Sequence, residues 1–259
     1  MANLRRKWEN IIGLSIQLAK SSFKLKTEGS YLGILWYLIE PLLFFVLFLT
    51  VRNLVAPDIE MYPLYLLLGL MMFNFFRRTT GEAVGAISGN SGLIGSLKLN
   101  NEVFVVSIIF KAIYSHFFEI ILFIIVIPIF GGSLINIIFY PLIFLLFIGF
   151  TLGVSLLVAT IGIYLSDFGK VWGMFTRLLW FATPIFYTSK LASKFNLAID
   201  LNAINPIYYF ITFARELIVY NKFPGFDIII GCILFSLLAF FIGLFVFNKY
   251  KHKFSEVVG

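Results

Sequence analysis

The chain has 259 residues, of which 60% are hydrophobic and only 13% charged, with a mean hydropathy of +0.97 and a formal net charge of +7. Soluble domains need far more polar surface, so a water-soluble enzyme is excluded and a small polytopic membrane protein is expected. One cysteine (Cys232, placed for buried packing in the last apolar block) and two histidines (His116, His252) exclude a disulfide framework and argue against a zinc site.

Residues Leu4–Leu25 read as a helix lying on the membrane. At 100° per residue, Leu4, Trp8, Ile11, Ile12, Leu14, Ile16, Leu18, Ala19 and Phe23 share one broad face. Arg6, Glu9, Asn10, Gln17, Lys20 and Lys24 lie opposite, while Arg5, Lys7, Ser15 and Ser22 break the pattern. A basic amphipathic helix of this kind belongs at an interface, where it anchors to anionic lipid or also transmits force from a cytoplasmic partner. No cleavable signal peptide is expected, since no short apolar core with a small-residue cleavage site follows.

Six apolar blocks then approach the ~20 residues a helix needs to cross the hydrocarbon core. They are 33–55, 62–76 with an extension towards 87, 104–130, 135–165, 171–187 and 226–250. Within the first, Pro41 follows Glu40, a carboxylate at membrane depth that normally faces a protein interior or a water path. Residues 77–103 are rich in Gly and Ser and predict a bend between two helices; Gly92 to Lys98 lacks the spacing of a phosphate loop. No Walker motif and no soluble block of domain size occurs, so the chain is not expected to hydrolyse ATP.

Lys111, His116 and Glu119 fall in the third block, with Lys111 and Glu119 sharing a helix face. A proton relay is the sharper reading; a snorkelling lysine and a single His–Glu pair is the simpler one. Asp167 is placed for an ion pair or cap in a tight turn near Lys170 and Arg177. Residues 188–225 are apolar and aromatic and too long for a structureless connection. Asn205 before Pro206 predicts a capped helix over 206–220, in a segment that dips back into the membrane as an external gate or caps the bundle from the interface.

Charge placement sets the orientation. Lys and Arg gather in the N-terminal arm, after the second and fourth blocks and at the C-terminus, while the loops 56–61 and 131–136 hold none. The positive-inside rule puts both termini in the cytoplasm, and membrane orientation rather than nucleic acid explains the basic balance. The expected organisation is a single all-α permease domain: a cytoplasmic interfacial helix (1–31), spans one to five (33–187), external gate helices (188–225), span six (226–250) and a cytoplasmic tail (251–259).

Specific residues resemble the membrane subunit of polysaccharide-exporting ABC transporters, the type-2 permeases of O-antigen, capsule and teichoic acid export. The strongest piece is Lys24 and Lys26, then Ser30, Leu32-Gly33, Trp36 and Pro41-Leu42. Tyr65-Leu66-Leu67-Leu68-Gly69-Leu70 with Phe75-Phe76 follows, then Asn90 with Leu93-Ile94, then Thr183-Pro184-Ile185-Phe186-Tyr187 with Asn205-Pro206 and Arg215 beyond. Departures occur at Met72-Phe73, at 97–101 and at Ser166-Asp167. The resemblance implies a homodimer in the inner membrane that docks two copies of a cytoplasmic ATPase, which binds ATP and magnesium, and passes lipid-linked polysaccharide, O-antigen first. The chain itself needs no cofactor, and its other partner is membrane lipid.

The same resemblance implies an ATPase-coupling surface at Lys24, Lys26, Asn90, Leu93, Lys98 and Glu102. The pathway or gate is expected at Trp36, Tyr37, Glu40, Phe186, Tyr187, Tyr209 and Phe213. An ion-coupled carrier needs inverted repeats that are not seen. A non-transporting assembly factor is the remaining alternative. A neighbouring gene for a Walker-type ATPase separates export from both.

Overall fold

A computed structural model of the protein describes residues 2–27, 33–56, 59–93, 100–187 and 201–254. Every regular element among them is helical, as expected. The main helices are α1 (Ala2–Thr27), α2 (Trp36–Thr50), α3 (Tyr62–Val84), α4 (Glu102–Ile129), α5 (Tyr140–Tyr164), α6 (Phe168–Ala182), α7 (Pro206–Ala214) and α8 (Phe226–Tyr250). A break at Val51 separates α2 from a short turn, Arg52–Val55, and a 3-10 stretch, Ile135–Phe139, leads into α5.

The centre of the molecule is α3. Every residue from Tyr62 to Phe76 is buried, as befits a helix that is apolar all round. Around it pack α2, α4, α5, α6 and α7. Among the described residues, three helical stretches are long and apolar enough to cross a membrane: Glu102–Ile129, Ile135–Tyr164 and Phe226–Lys253. Of the other apolar blocks, α3 carries Arg77, Arg78 and Glu82 towards its end. The helices α2 and α6 have 15 residues each, about 22 Å at 1.5 Å per residue.

Small residues bring α5 and α8 into backbone contact. A Cβ on Gly153 would overlap the carbonyl of Ala239, and one on Gly243 would overlap the carbonyl of Gly153. Ser236 adds a hydrogen bond from its hydroxyl to the Leu146 carbonyl at 2.8 Å. Close approach through small side chains is how apolar helices associate without a hydrophobic drive from water.

Four local expectations are corrected. The α1 seam against α4 is formed by Ile11, Ser15 and Ala19, and Ser15, expected to break the apolar face, donates to the Val103 carbonyl at 3.1 Å. Ile12 and Leu14 are exposed instead, because the i, i+4 row of smaller residues lets the two helices approach. Helix α3 continues through Arg77 to Val84, so the bend is confined to a shorter stretch. The fifth block stops being helical at Ala182: Thr183 precedes Pro184 and is extended, the conformation proline imposes on its predecessor. Helix α7 begins as expected, with the Asn205 side chain accepting from the Ile207 amide at 3.1 Å. It then widens into a π turn, Arg215–Val219, which ends at Asn221 in the left-handed region.

The end of the bundle that carries the C-terminus is closed by Phe254, buried with Phe104 and Phe247, and by Lys251, which pairs with Glu102 at 2.7 Å. Gly243→Val is expected to push α8 off α5 and lower the thermal melting point in detergent, by the ~1–3 kcal/mol typical of overpacking. Gly13→Ala on α1, where a Cβ meets nothing, is expected to leave it unchanged or slightly raised.

Candidate functional site

Helix α3 holds two polar clusters at different heights, and each ties it to other helices. The first surrounds Arg77 and Arg78. Both donate to the Glu40 carboxylate of α2, Arg78 at 2.8 Å and Arg77 at closer range. Arg78 also reaches Glu119 of α4 at 3.3 Å. The other oxygen of Glu119 lies 2.8 Å from His116 Nδ1, and His116 Nε2 lies 2.6 Å from the Tyr140 hydroxyl of α5. Phe144 stacks on the imidazole at 4.5 Å. Lys111 turns away from this group and pairs with Glu82 of α3.

Two guanidinium groups thus face two carboxylates, and the His116 imidazole bridges Glu119 and Tyr140. An arginine between the carboxylates cannot release a proton, so the chain of contacts is an ion-pair clasp and not a proton wire. Its inner half is sealed, with Glu119 and His116 each 2% exposed, while Glu40 and Arg77 are part-exposed.

The second cluster surrounds Arg215, which is 3% exposed. Its Nε donates to the Tyr65 carbonyl at 3.0 Å, Nη1 to Pro184 at 2.7 Å and Nη2 to Ile185 at 2.7 Å. The guanidinium lies flat on the Tyr65 ring, 3.3 Å from its centroid. Tyr65 places its hydroxyl between the carbonyls of Pro184 and Tyr187, at 3.1 and 2.9 Å, and Tyr62 donates to Phe186 at 3.0 Å. Asn205 reaches the Thr183 hydroxyl at 2.8 Å. Gly69 leaves the room: a Cβ there would strike the Arg215 guanidinium.

The expected pathway residues divide into two groups. Trp36 is 56% exposed and forms, with Ile39, Glu40, Leu43, Phe44 and Leu47, an open groove of about 230 Å³ along α2. Phe186 stacks on Phe48 at 4.4 Å and lies 5.0 Å from Trp180, and Tyr187 donates to the Phe181 carbonyl at 2.7 Å. Tyr209 and Phe213 are elsewhere: Tyr209 lies over Gly231 and 5.3 Å from Phe235 of α8, and Phe213 is in the core. The side chain of Tyr37 lies outside the described residues.

Of the expected coupling residues, Lys24 and Leu93 are exposed, and Asn90 donates to the Ala86 carbonyl at 2.8 Å. Glu102 is buried in its pair with Lys251. Lys98 and the side chain of Lys26 lie outside the described residues.

Sequence reasoning missed the roles of Arg77, Arg78 and Arg215. The first two were read as charges beyond a span that in fact continues past them. The signal was a pair of basic residues in a helical run, matched by two acids in neighbouring apolar blocks, Glu40 and Glu119. Arg215 stood in the resemblance without a role, and only the fold brings Tyr65, Gly69, residues 183–187 and Asn205 around it.

No family model matches the chain. It is 22% identical over 260 residues to the O-antigen export system permease protein RfbA of Myxococcus xanthus, covering all of both chains. Two proteins of that name from Klebsiella pneumoniae are 24% identical over 252 residues, covering 96% of each chain. The protein is therefore an integral membrane protein of helical type. The resemblance to polysaccharide-export permeases holds over its whole length and not at isolated motifs.

Glu119→Gln leaves Arg78 and His116 without their buried partner, and is expected to lower stability by the ~3–5 kcal/mol of a broken buried pair. Glu40→Gln, at the part-exposed end, is expected to lose about 1 kcal/mol or less. Thermal unfolding in detergent reads both; equal losses would contradict the sealed-inner, open-outer division.

Proposed function

We propose that this chain is the transmembrane subunit of an ATP-driven ABC exporter that moves lipid-linked polysaccharide, O-antigen first, across the cytoplasmic membrane. The observation that carries this reading is the similarity to permeases of O-antigen export systems, which runs from end to end of both proteins. Teichoic acid or capsule export is the alternative within the same class, because nothing in the chain reads the glycan.

Two copies form the conduit, since each copy alone is a bundle with its centre filled by α3. Each copy docks one ATPase subunit on the cytoplasmic side through α1 and the stretch around Asn90, Leu93 and Lys98. Lys24 and Lys26 lie on the same arm. Glu102 acts from inside that surface by holding the C-terminal segment. The ATPase binds ATP and magnesium; this chain supplies no phosphate loop.

Six spans with both termini inside fit the charge placement. The two 15-residue helices then cross with the help of their flanks: α2 with 33–35 and 52–55, and α6 with 183–187. Helix α7 is re-entrant in this reading. Its Phe210 touches Phe147 and Phe150, well inside α5, while Tyr220 at its far end comes to the Glu60 carbonyl of the external loop. Together with residues 183–187 it forms the external gate, with Phe186, Tyr187, Tyr209 and Phe213 as its aromatic packing. Trp36 and Glu40 face the pathway on α2, and Tyr37 is assigned to the same pathway from sequence.

Purified alone, the chain is expected to show no ATP turnover, and co-expression with a cognate Walker-type ATPase is expected to give a stable complex that exports glycan. In intact cells, Lys222→Cys is expected to react with a membrane-impermeant thiol reagent and Ala2→Cys to stay protected. Turnover by the isolated polypeptide, or labelling of position 2 from outside, overturns the respective half of the assignment.

A further inference from the structure

We propose that Arg215 is the pin of the external gate: its guanidinium holds α7 to residues 183–187 and to α3, and opening requires that it leave the carbonyls of Pro184 and Ile185. This deepens the gate reading above and rests on it for its transport consequence.

Four consecutive carbonyls, those of Pro184, Ile185, Phe186 and Tyr187, lie where α6 has ceased to be a helix. Non-helical backbone is tolerated at membrane depth only where protein or water answers its polar groups. Here side chains answer all four. Arg215 takes Pro184 and Ile185, Tyr62 takes Phe186, and the Tyr65 hydroxyl lies between Pro184 and Tyr187. Arg215 is the one member of this set that belongs to α7. Withdrawing it strips the Ile185 carbonyl, leaves Pro184 to the Tyr65 hydroxyl alone, and removes the hydrogen bond to the Tyr65 carbonyl of α3.

The residue type fits the task. A planar fork reaches two successive carbonyls while its third side meets the Tyr65 carbonyl and its face rests on the Tyr65 ring; an ammonium on a flexible stem cannot do these together. Gly69, one helical turn after Tyr65, keeps the slot open. The π turn begins at Arg215 itself, and the Tyr220 amide bonds to the Arg215 carbonyl at 3.0 Å. Wide turns of this kind frequently mark functional positions.

The charge makes the pin releasable. None of the ion pairs among the described residues includes Arg215, so its charge is held by carbonyl dipoles and an aromatic face alone. Burying a guanidinium in this way carries a desolvation penalty that returns when the group reaches water. Moving α7 outward hydrates the arginine, which offsets the bonds it leaves. A carboxylate partner would have made the tie permanent. The first cluster, with its matched charges, is such a tie.

Hydrogen exchange on the full-length chain in nanodiscs and ion flux from proteoliposomes test this together, with no ATPase present. Arg215→Gln and Arg215→Lys are expected to speed exchange of the Ile185 and Tyr220 amides at least about tenfold, the scale of one lost charge-assisted hydrogen bond. Amides of α5 and α8 are expected to stay unchanged. Both variants are expected to leak small ions, the glutamine variant no less than the lysine one, because the fork and not the charge holds the gate. Tyr65→Phe keeps the ring and removes one hydroxyl, and is expected to give a smaller rise at the same amides. If Arg215→Gln does not yield folded protein, Gly69→Ala, which crowds the guanidinium, decides by the same two readouts. Unchanged exchange at Ile185 and Tyr220, or full rescue by lysine, sinks the pin. Faster exchange in vesicles that stay sealed keeps Arg215 as the tie but shows that this segment does not close the pore, so the failure of the gate reading is distinguishable.

Discussion

A helix enclosed by protein on all sides cannot turn to water, so every polar group it carries must be answered by a neighbour. That constraint organises this molecule around α3. Its apolar length is packed on every side, and several of its polar groups lie where another helix can meet them. Arg77 and Arg78 meet α2 and α4; Thr80 accepts from the Trp172 indole of α6 at 3.0 Å; the Tyr65 carbonyl and ring meet Arg215. The helices around α3 therefore have fixed registers, which apolar packing in lipid would define poorly because lipid tails compete equally for an apolar face.

Two kinds of interhelical contact result. Between α5 and α8 the contact is close, dry and made by Gly153, Gly243 and Ser236, with no charge involved. Such a seam has one good geometry, since sliding by a residue would put larger side chains opposite the glycines. Around α3 the contacts include polar ones, with matched charges at Arg77 and Arg78 and a guanidinium on carbonyls at Arg215.

Much of this was legible in sequence, and the misses share a cause. The apolar blocks, the Asn205 cap and the boundaries of α8 follow from local periodicity and chemistry, which act within a few residues. The end of α6 at Ala182 was readable too, from Thr183-Pro184, but hydropathy alone carried the block on to Tyr187. Pairings between distant residues were not readable. Glu40 was recognised as a carboxylate at depth, yet its partners lie 37 and 38 residues away on another helix. Ser15 looked like a flaw in an amphipathic face because the wheel ranks residues by polarity, whereas the seam selects for size. Its hydroxyl finds the Val103 carbonyl only because α1 and α4 run side by side.

Helix α1 is joined to α3 through α4. Ser15 meets Val103 and Phe23 lies 6.2 Å from Tyr114, so α1 and α4 run in the same direction over this stretch. Glu119, further along α4, is joined to Arg78 of α3, and α3 carries Gly69 and Tyr65 about two and a half and three and a half turns away. An α-helix is stiff over that distance, so a shift of α4 that pulls on Glu119 displaces α3 as a body. The carbonyl of Tyr65 moves with it, and Arg215 is bonded to that carbonyl. The joint at Glu119 pairs matched charges, whereas Arg215 is held by three carbonyls and an aromatic ring.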